Sequence, residues 1–198
     1  MAIEFKRVQY AGDMPVFWRG EAKILPGGFK LLQTFPKGTR IRKGTPLYIV
    51  PGTLTANVVK HAIVIAGGTT TAPRVTKNSY FQVGDLVMDV TGNIGRAITA
   101  IDTANSEYDV LTFASALTGV AADAHLVEAS AATASEPKFV PNMVTGETTE
   151  PLDGADQDTI SAAYDCVVLL GYATKLPAVW LNAGVGLKSN PKIIYVKQ

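Results

Sequence analysis

Short apolar runs, each closed by a turn signal, recur at steady spacing through the middle of the chain. They are rich in β-branched and aromatic residues, and none continues with the 3.6-residue period of an amphipathic helix. Five or six short strands in roughly seventy residues predict a small closed or half-closed barrel, since closure pairs the exposed strand edges. The predicted strands are Val58–Ala66, Arg74–Val75, Leu86–Val90, Arg96–Asp102, Tyr108–Phe113 and His125–Val127.

A glycine pair follows the first of these strands, in the stretch H-A-I-V-I-A-G-G-T-T-T-A-P from His61 to Pro73. A phosphate-binding loop would need a lysine for the terminal phosphates and a helix whose N-terminus points at the anion. The sequence after Gly67-Gly68 has no Gly-Lys-Ser/Thr and no helical periodicity. The pattern therefore favours a barrel corner that turns into a threonine-rich loop.

The regions on either side of the barrel hold too few strands to make a core separately. Because small domains need most of their strands to bury enough apolar surface, we expect residues 1–55 and 135–198 to fold together. Residues 56–132 then form an inserted small barrel, which ends at the small, polar stretch 129–136. The predicted fold class is mainly β, a small β-barrel inserted into a β-rich domain with minor α content. That minor helix would run from Pro177 to Gly184.

Charge and hydropathy narrow the possible partners. The 198 residues include 18 Lys and Arg against 17 Asp and Glu, a balance that gives no strong field for nucleic acid or anionic lipid. The apolar runs are far shorter than the roughly 20 residues of a membrane span, and the N-terminus lacks the apolar core of a signal peptide. We expect a soluble protein made in a cytoplasm, with no nucleic-acid or membrane partner.

Candidate catalytic groups are few. Cys166 is the single cysteine and lies in the apolar run Y-D-C-V-V-L-L, which is typical of a buried small side chain. A nucleophilic role would require His61 or His125 as a base, converging with it in a cleft. The acidic stretch 147–158 lacks the order of carboxylates in an EF-hand loop and is interpreted as a solvated loop. The sequence predicts no catalytic residues, no metal site and no cofactor, and hence no enzyme.

Large aromatic side chains are spread over both end segments. Their ordinary role is packing in the core and at interfaces, and the alternative is a platform on which sugars or bases stack. An aromatic-rich surface in a non-catalytic β protein suits contact between protein chains. The candidate residues for such a contact between chains are Phe17, Trp18, Trp180 and Tyr195.

Several phrases of the sequence resemble one family. They are E-F-K-R-V-Q-Y-A-G-D-M-P-V-F-W-R-G-E-A, F-P-K-G-T-R-I-R-K-G-T-P-L-Y-I, G-G-T-T-T-A-P-R-V, F-Q-V-G-D-L-V-M and V-V-L-L-G-Y-A-T-K-L-P. Together they are similar to proteins encoded in phages and prophages of gut Bacteroidetes that are labelled head fibre or capsid decoration proteins. The resemblance spans nearly the whole chain and implies a non-enzymatic virion component on the outer capsid surface, often trimeric, with the major capsid protein as its partner.

The expected assembly is a homo-oligomer, most simply a trimer formed through the domain of the two end segments. Cyclic symmetry needs only one heterologous contact, repeated until it closes, and a capsid offers threefold and sixfold positions that such a ring can match. The alternative function is a carbohydrate- or surface-binding β module. That alternative requires exposed aromatic rings on one face of the barrel.

Overall fold

A computed structural model describes residues 16–25, 28–133, 135–150, 159–169, 172–173, 175–181 and 186–196. The chain is mainly β, as predicted, with two short 3₁₀ helices at Ala178–Leu181 and Gly186–Ser189 among these residues. The strands are β1 (Phe17–Ile24), β2 (Phe29–Leu31), β3 (Pro46–Val50), β4 (Thr55–Val58), β5 (His61–Ile65), β6 (Arg74–Thr76), β7 (Leu86–Asp89), β8 (Arg96–Asp102), β9 (Tyr108–Phe113), β10 (His125–Glu128), β11 (Met143–Thr145), β12 (Thr159–Ile160), β13 (Ala162–Leu169) and β14 (Ile193–Val196).

The strands divide between two compact units. The base unit takes its described residues from 1–58, 141–174 and 181–198, and the barrel unit takes them from 59–140 and 175–180. The fold prediction of a barrel within a β-rich domain built by both end segments is therefore confirmed. The units separate at Val59 and Val140, where the sequence had suggested 56 and 132.

Six antiparallel strands close the barrel in the order β10-β5-β6-β9-β8-β7. Alternate residues of each strand face inward, because successive side chains of a strand point to opposite faces. The inward residues include Ala62, Val64, Val75, Val87, Ile98, Leu111, Phe113 and Leu126, which form one buried apolar cluster. Burial of this cluster is the main favourable term in the stability of the barrel.

Two predicted elements differ from the structure near the ends of the barrel. The strand expected at Val58–Ala66 is two strands, since β4 ends at Val58 in the base sheet and β5 begins at His61 in the barrel. The stretch expected to be a linker folds back on the barrel, because Ala129 pairs with Pro137 and Ser130 N–H donates to the Glu136 carbonyl. Small, polar composition alone did not reveal these backbone hydrogen bonds.

The base unit is one eight-stranded sheet in the order β1-β13-β11-β3-β4-β2-β12, with β14 parallel to the later part of β13. Strands from before and after the barrel are mixed in this sheet, and the two sets pair with each other at β1–β13, β11–β3 and β2–β12. The pairing of β1 with β13 joins Phe17 to Val168 and Ile24 to Ala163. Neither end segment could pair its strands in this way without the other.

The remaining predictions for the C-terminal region differ from the structure in their boundaries. The strand expected from Asp165 to Tyr172 is β13 (Ala162–Leu169), and the one expected from Pro191 to Gln198 is β14 (Ile193–Val196). The helix expected from Pro177 is only the 3₁₀ turn Ala178–Leu181, and Gly184 lies outside the described residues. Most of the acidic stretch also lies outside them.

Candidate functional site

Among the described strands, β1 lies at one edge of the base sheet, and a bulge in it carries the most exposed of the four candidate aromatic residues. Phe17 lies opposite Val168 and Ala22 opposite Cys166, so the four residues 18–21 of β1 face one residue of β13. Arg19 adopts the left-handed backbone region with φ 54°, which turns the strand locally. This turn leaves the Trp18 side chain 47% exposed, whereas Phe17 beside it is fully buried.

The other candidate contact residues are mostly occupied in the packing of the chain itself. Phe17 is fully buried with the Lys43 ammonium 4.9 Å from its ring centre, and Trp180 is 1% exposed. Tyr195 is half-buried, and burial raises the pKa of its hydroxyl. The expected contact between chains stays a prediction. Trp18 is the one of the four candidate side chains that is well exposed, and a side chain buried in one chain offers little surface to another.

A second cluster brings together three rings from distant parts of the sequence, His61, His125 and Trp180, which we term the histidine cluster. His61 Nε2 lies 2.7 Å from His125 Nδ1, and the two rings stack with centres 5.0 Å apart. The Trp180 ring is tilted against His61 at 5.8 Å between centres. All three residues belong to the barrel unit.

The register of two strands creates this cluster. In the antiparallel pair β5–β10, His61 is opposite Val127 and His125 is opposite Ile63, so the histidines are diagonal neighbours on one face. Their chain neighbours Ala62 and Leu126 belong to the inner core, which puts the histidines on the outer wall. The sequence placed each histidine at a strand end but gave no sign of this pairing, because register depends on the closed barrel.

Burial keeps both imidazoles neutral. Desolvation, followed by the nearby His125, lowers the pKa of His61 to about 3. Desolvation also lowers the pKa of His125, against the opposing effect of Asp89 and Asp123, while Lys175 adds to the lowering. A His61 that holds its proton so weakly is a poor general base near neutral pH, and its packed ring has little access to a substrate.

Cys166 is buried in β13 of the base unit, as the sequence indicated. Burial, with a smaller effect of Asp165, raises the pKa of its thiol to about 12. The thiolate is the nucleophilic form, and this environment disfavours it. The two histidines that the sequence offered as bases pair with each other in the barrel unit.

We predict that Cys166 reacts slowly with thiol reagents in the folded protein. A thiol pKa near 12 at pH 8 leaves at least about 100-fold less thiolate than an ordinary cysteine has, and burial slows access further. Labelling with a chromogenic disulfide would measure the rate, and the same chain in denaturant supplies the control. Native labelling as fast as in denaturant would contradict the buried, inert assignment.

The Gly67-Gly68 corner is a tight turn packed against Arg74. Gly67 has φ 94°, and a Cβ there would lie 2.7 Å from an Arg74 guanidinium nitrogen. A Cβ on Gly68 would lie 2.5 Å from the backbone nitrogen of Arg74, so the strands approach too closely for a side chain. The glycines thus serve the close backbone approach in the corner, and no helix follows them to bind a phosphate.

The described residues include two short 3₁₀ helices. None of the helices there is long and apolar enough to cross a membrane. Within those residues, no group of three or more His, Cys, Asp and Glu side chains is arranged to hold a metal ion. In comparisons with known proteins, no family model, no curated protein and no solved structure matches the chain.

Proposed function

We propose that the chain is a non-enzymatic structural protein of a phage or prophage virion, which decorates the outer capsid surface as a decoration or head fibre component. The family resemblance of the sequence motivates this proposal. The observation that supports it best is the Trp18 bulge, which presents a large aromatic side chain from the edge of the base sheet. The proposed partner is the major capsid protein.

The bulge suits a contact between protein chains. Tryptophan is the residue type most enriched among side chains that dominate interface energies, and it loses little conformational entropy when it is fixed in a pocket. Phe17 anchors the same strand in the core, so the position of Trp18 is held by its buried neighbour. The bulge also interrupts the straight edge of β1, which disfavours unspecific strand pairing and leaves the side chain as the specific feature.

Self-association through the base unit is part of the proposal. A trimer would repeat one heterologous contact around a threefold axis, and we expect that contact to bury at least about 1,000 Å². Other exposed apolar side chains of the base unit, Leu32 and Ile194, are available to extend a contact surface. A trimer would then bind the capsid through three copies of one weak contact, and the overall affinity would exceed that of a single contact.

The proposal requires a major capsid gene in the same genome, and the test uses shells assembled from its product. We expect the purified chain to comigrate with undecorated shells in a density gradient, and to sediment as a trimer at micromolar concentration. Trp18→Ala should weaken shell binding or trimer formation by about 30-fold, the effect of a tryptophan worth about 2 kcal/mol. Val83→Ala is the matched control, because Val83 is 63% exposed on the barrel unit.

The outcomes separate the two parts of the proposal. A chain that stays monomeric and does not bind the shells would contradict the virion assignment. Shell binding that is equally sensitive to Val83→Ala and Trp18→Ala would refute the role of the bulge while retaining the decoration function. If the chain is monomeric in solution but binds the shells, the trimer forms only on the capsid lattice.

The alternative, a carbohydrate- or surface-binding module, has less support. Such a module needs aromatic rings exposed on the barrel face, where they can stack on sugars. Among the described residues of the barrel unit, the large apolar side chains with the greatest exposure are aliphatic: Val83, Ile94 and Val179. Binding to a glycan array that survives Trp18→Ala would nevertheless favour this alternative.

A further inference from the structure

The histidine cluster lies where a segment remote in sequence covers the barrel wall. The residues 175–180 belong to the barrel unit although more than thirty residues separate them from the end of its main segment at Val140. Trp180 ends this segment and packs its ring against His61, with only 1% of the side chain exposed. The imidazole pair is thus part of the surface that holds the segment in place.

We propose that His61 and His125 form a proton-operated latch, which keeps the segment 175–180 on the barrel wall at neutral pH and releases it in acid. The proposal is independent of the capsid function. It follows from the geometry of the pair, in which a ring nitrogen of one imidazole is within hydrogen-bond distance of a ring nitrogen of the other.

The hydrogen bond between the rings needs at least one neutral imidazole, since two charged rings would have no acceptor between them. One of the two facing nitrogens must donate and the other must accept. We assign the hydrogen to His61 Nε2, because the other nitrogen, His61 Nδ1, is buried and finds no hydrogen-bond partner among the described residues. An unpaired acceptor in that position costs less than an unpaired N–H donor.

This tautomer leaves no convenient site for an added proton. His125 Nδ1 already accepts the hydrogen bond, so a proton there opposes the N–H of His61 unless that hydrogen moves to His61 Nδ1, where it becomes a buried donor with no partner among the described residues. The remaining acceptor is His61 Nδ1, which is buried, and a charge at this position would be separated from water. Protonation of the pair therefore favours separation of the rings, and Trp180 loses the surface against which it packs.

The charges around the pair determine which imidazole is protonated first. Asp89 at the end of β7 and Asp123 before β10 favour the charged form of His125, and Lys175 in the covering segment opposes it. The pKa of His61 is lowered by burial and, to a smaller extent, by His125. His125 is therefore expected to take up the first proton, and a positive charge on it also repels Lys175 in the segment to be released.

The size of the response follows from proton linkage. Each imidazole that is charged in the open form and neutral in the closed form changes the ratio of open to closed molecules by about tenfold per pH unit. The change begins below the ordinary histidine pKa of about 6.5 and continues until the closed form also binds protons. With both histidines involved, the ratio rises by up to about 100-fold per pH unit.

The test follows the exposure of Trp180. Because the chain has two tryptophans, Trp18→Phe leaves Trp180 as the single reporter. Acrylamide quenching of its fluorescence is measured from pH 8 to pH 4, with far-UV circular dichroism recorded in parallel. We expect strong shielding at pH 8 and a several-fold larger quenching constant in acid, while the β signal is retained.

The matched control is the double variant His61→Leu/His125→Leu in the same Trp18→Phe background, which should keep Trp180 shielded at every pH. A second measurement covers the case in which this variant misfolds: the imidazole resonances of the unsubstituted pair should titrate together with the quenching change. Trp180 that stays shielded down to pH 4, or a pH response that is unchanged in a folded double variant, would overturn the latch. Histidine resonances that titrate with no change in quenching would do the same.

Discussion

Asp85→Ala is expected to destabilise the barrel by about 3–5 kcal/mol, because it leaves a buried ammonium group without its partner. Asp85 Oδ2 accepts a hydrogen bond of 2.6 Å from Lys60 Nζ and one of 2.7 Å from the Gln82 backbone N–H. The Lys60 side chain is only 6% exposed, so water cannot replace the carboxylate. Urea unfolding, followed by circular dichroism, would measure the loss.

Two controls distinguish the buried charge from the loss of side-chain atoms. The double variant Lys60→Met/Asp85→Leu removes both charges and should recover most of the stability, since apolar replacements of a buried pair are often neutral. Asp165→Ala removes the partner of Lys23 in an exposed pair with a similar distance of 2.8 Å, and we expect no measurable change there. Equal losses for Asp85→Ala and the double variant would show that the buried charge is not the cause.

Phe17→Ala should lower the free energy of unfolding of the base unit by about 3–5 kcal/mol, whereas Trp18→Ala should lower it by about 1 kcal/mol. The two aromatic residues are adjacent in β1, but Phe17 is fully buried and Trp18 is 47% exposed. Removal of the buried Phe17 ring leaves a closed cavity, whereas removal of the half-exposed Trp18 ring opens a space that water can fill. The same urea titration compares them.

Phe17→Leu is the conservative control and should cost less than Phe17→Ala, because leucine refills part of the space. A larger loss for Trp18→Ala than for Phe17→Ala would mean that the bulge, and not the core, carries the stability of β1. It would also remove the basis for assigning Trp18 to a contact between chains.

The order of the barrel strands along the chain was readable from the sequence, because short apolar runs alternate with turn residues there. The boundaries of β8 and β9 are as predicted, at Arg96–Asp102 and Tyr108–Phe113. The break between β4 and β5 was not readable, since Val58 to Ala66 is one continuous run in which Lys60 is the only charged residue. Only the buried pair with Asp85 explains how this lysine is accommodated there.

The sites were less predictable than the strands. Alternation along β1 implies that Phe17 and Trp18 face opposite ways, but which of them faces the core depends on the register in which β1 pairs with β13. The sequence also did not show whether Trp180 is buried. Its burial depends on residues 175–180, which belong to the barrel unit although they are far from 59–140 in the sequence. The histidine cluster depends on strand register and closure, which no local pattern encodes.

The pairing of β1 with β13 has a consequence for the order in which the chain folds while it is being synthesised. All six barrel strands lie between His61 and Glu128, so the barrel can close before the ribosome reaches the second half of the base sheet. Strand β1 has to wait for its partner while roughly 140 further residues are added, about 7–28 s at ordinary rates of translation. During that interval β1 is an unpaired nascent strand, and the chaperones that meet this chain would meet a finished barrel attached to an open sheet.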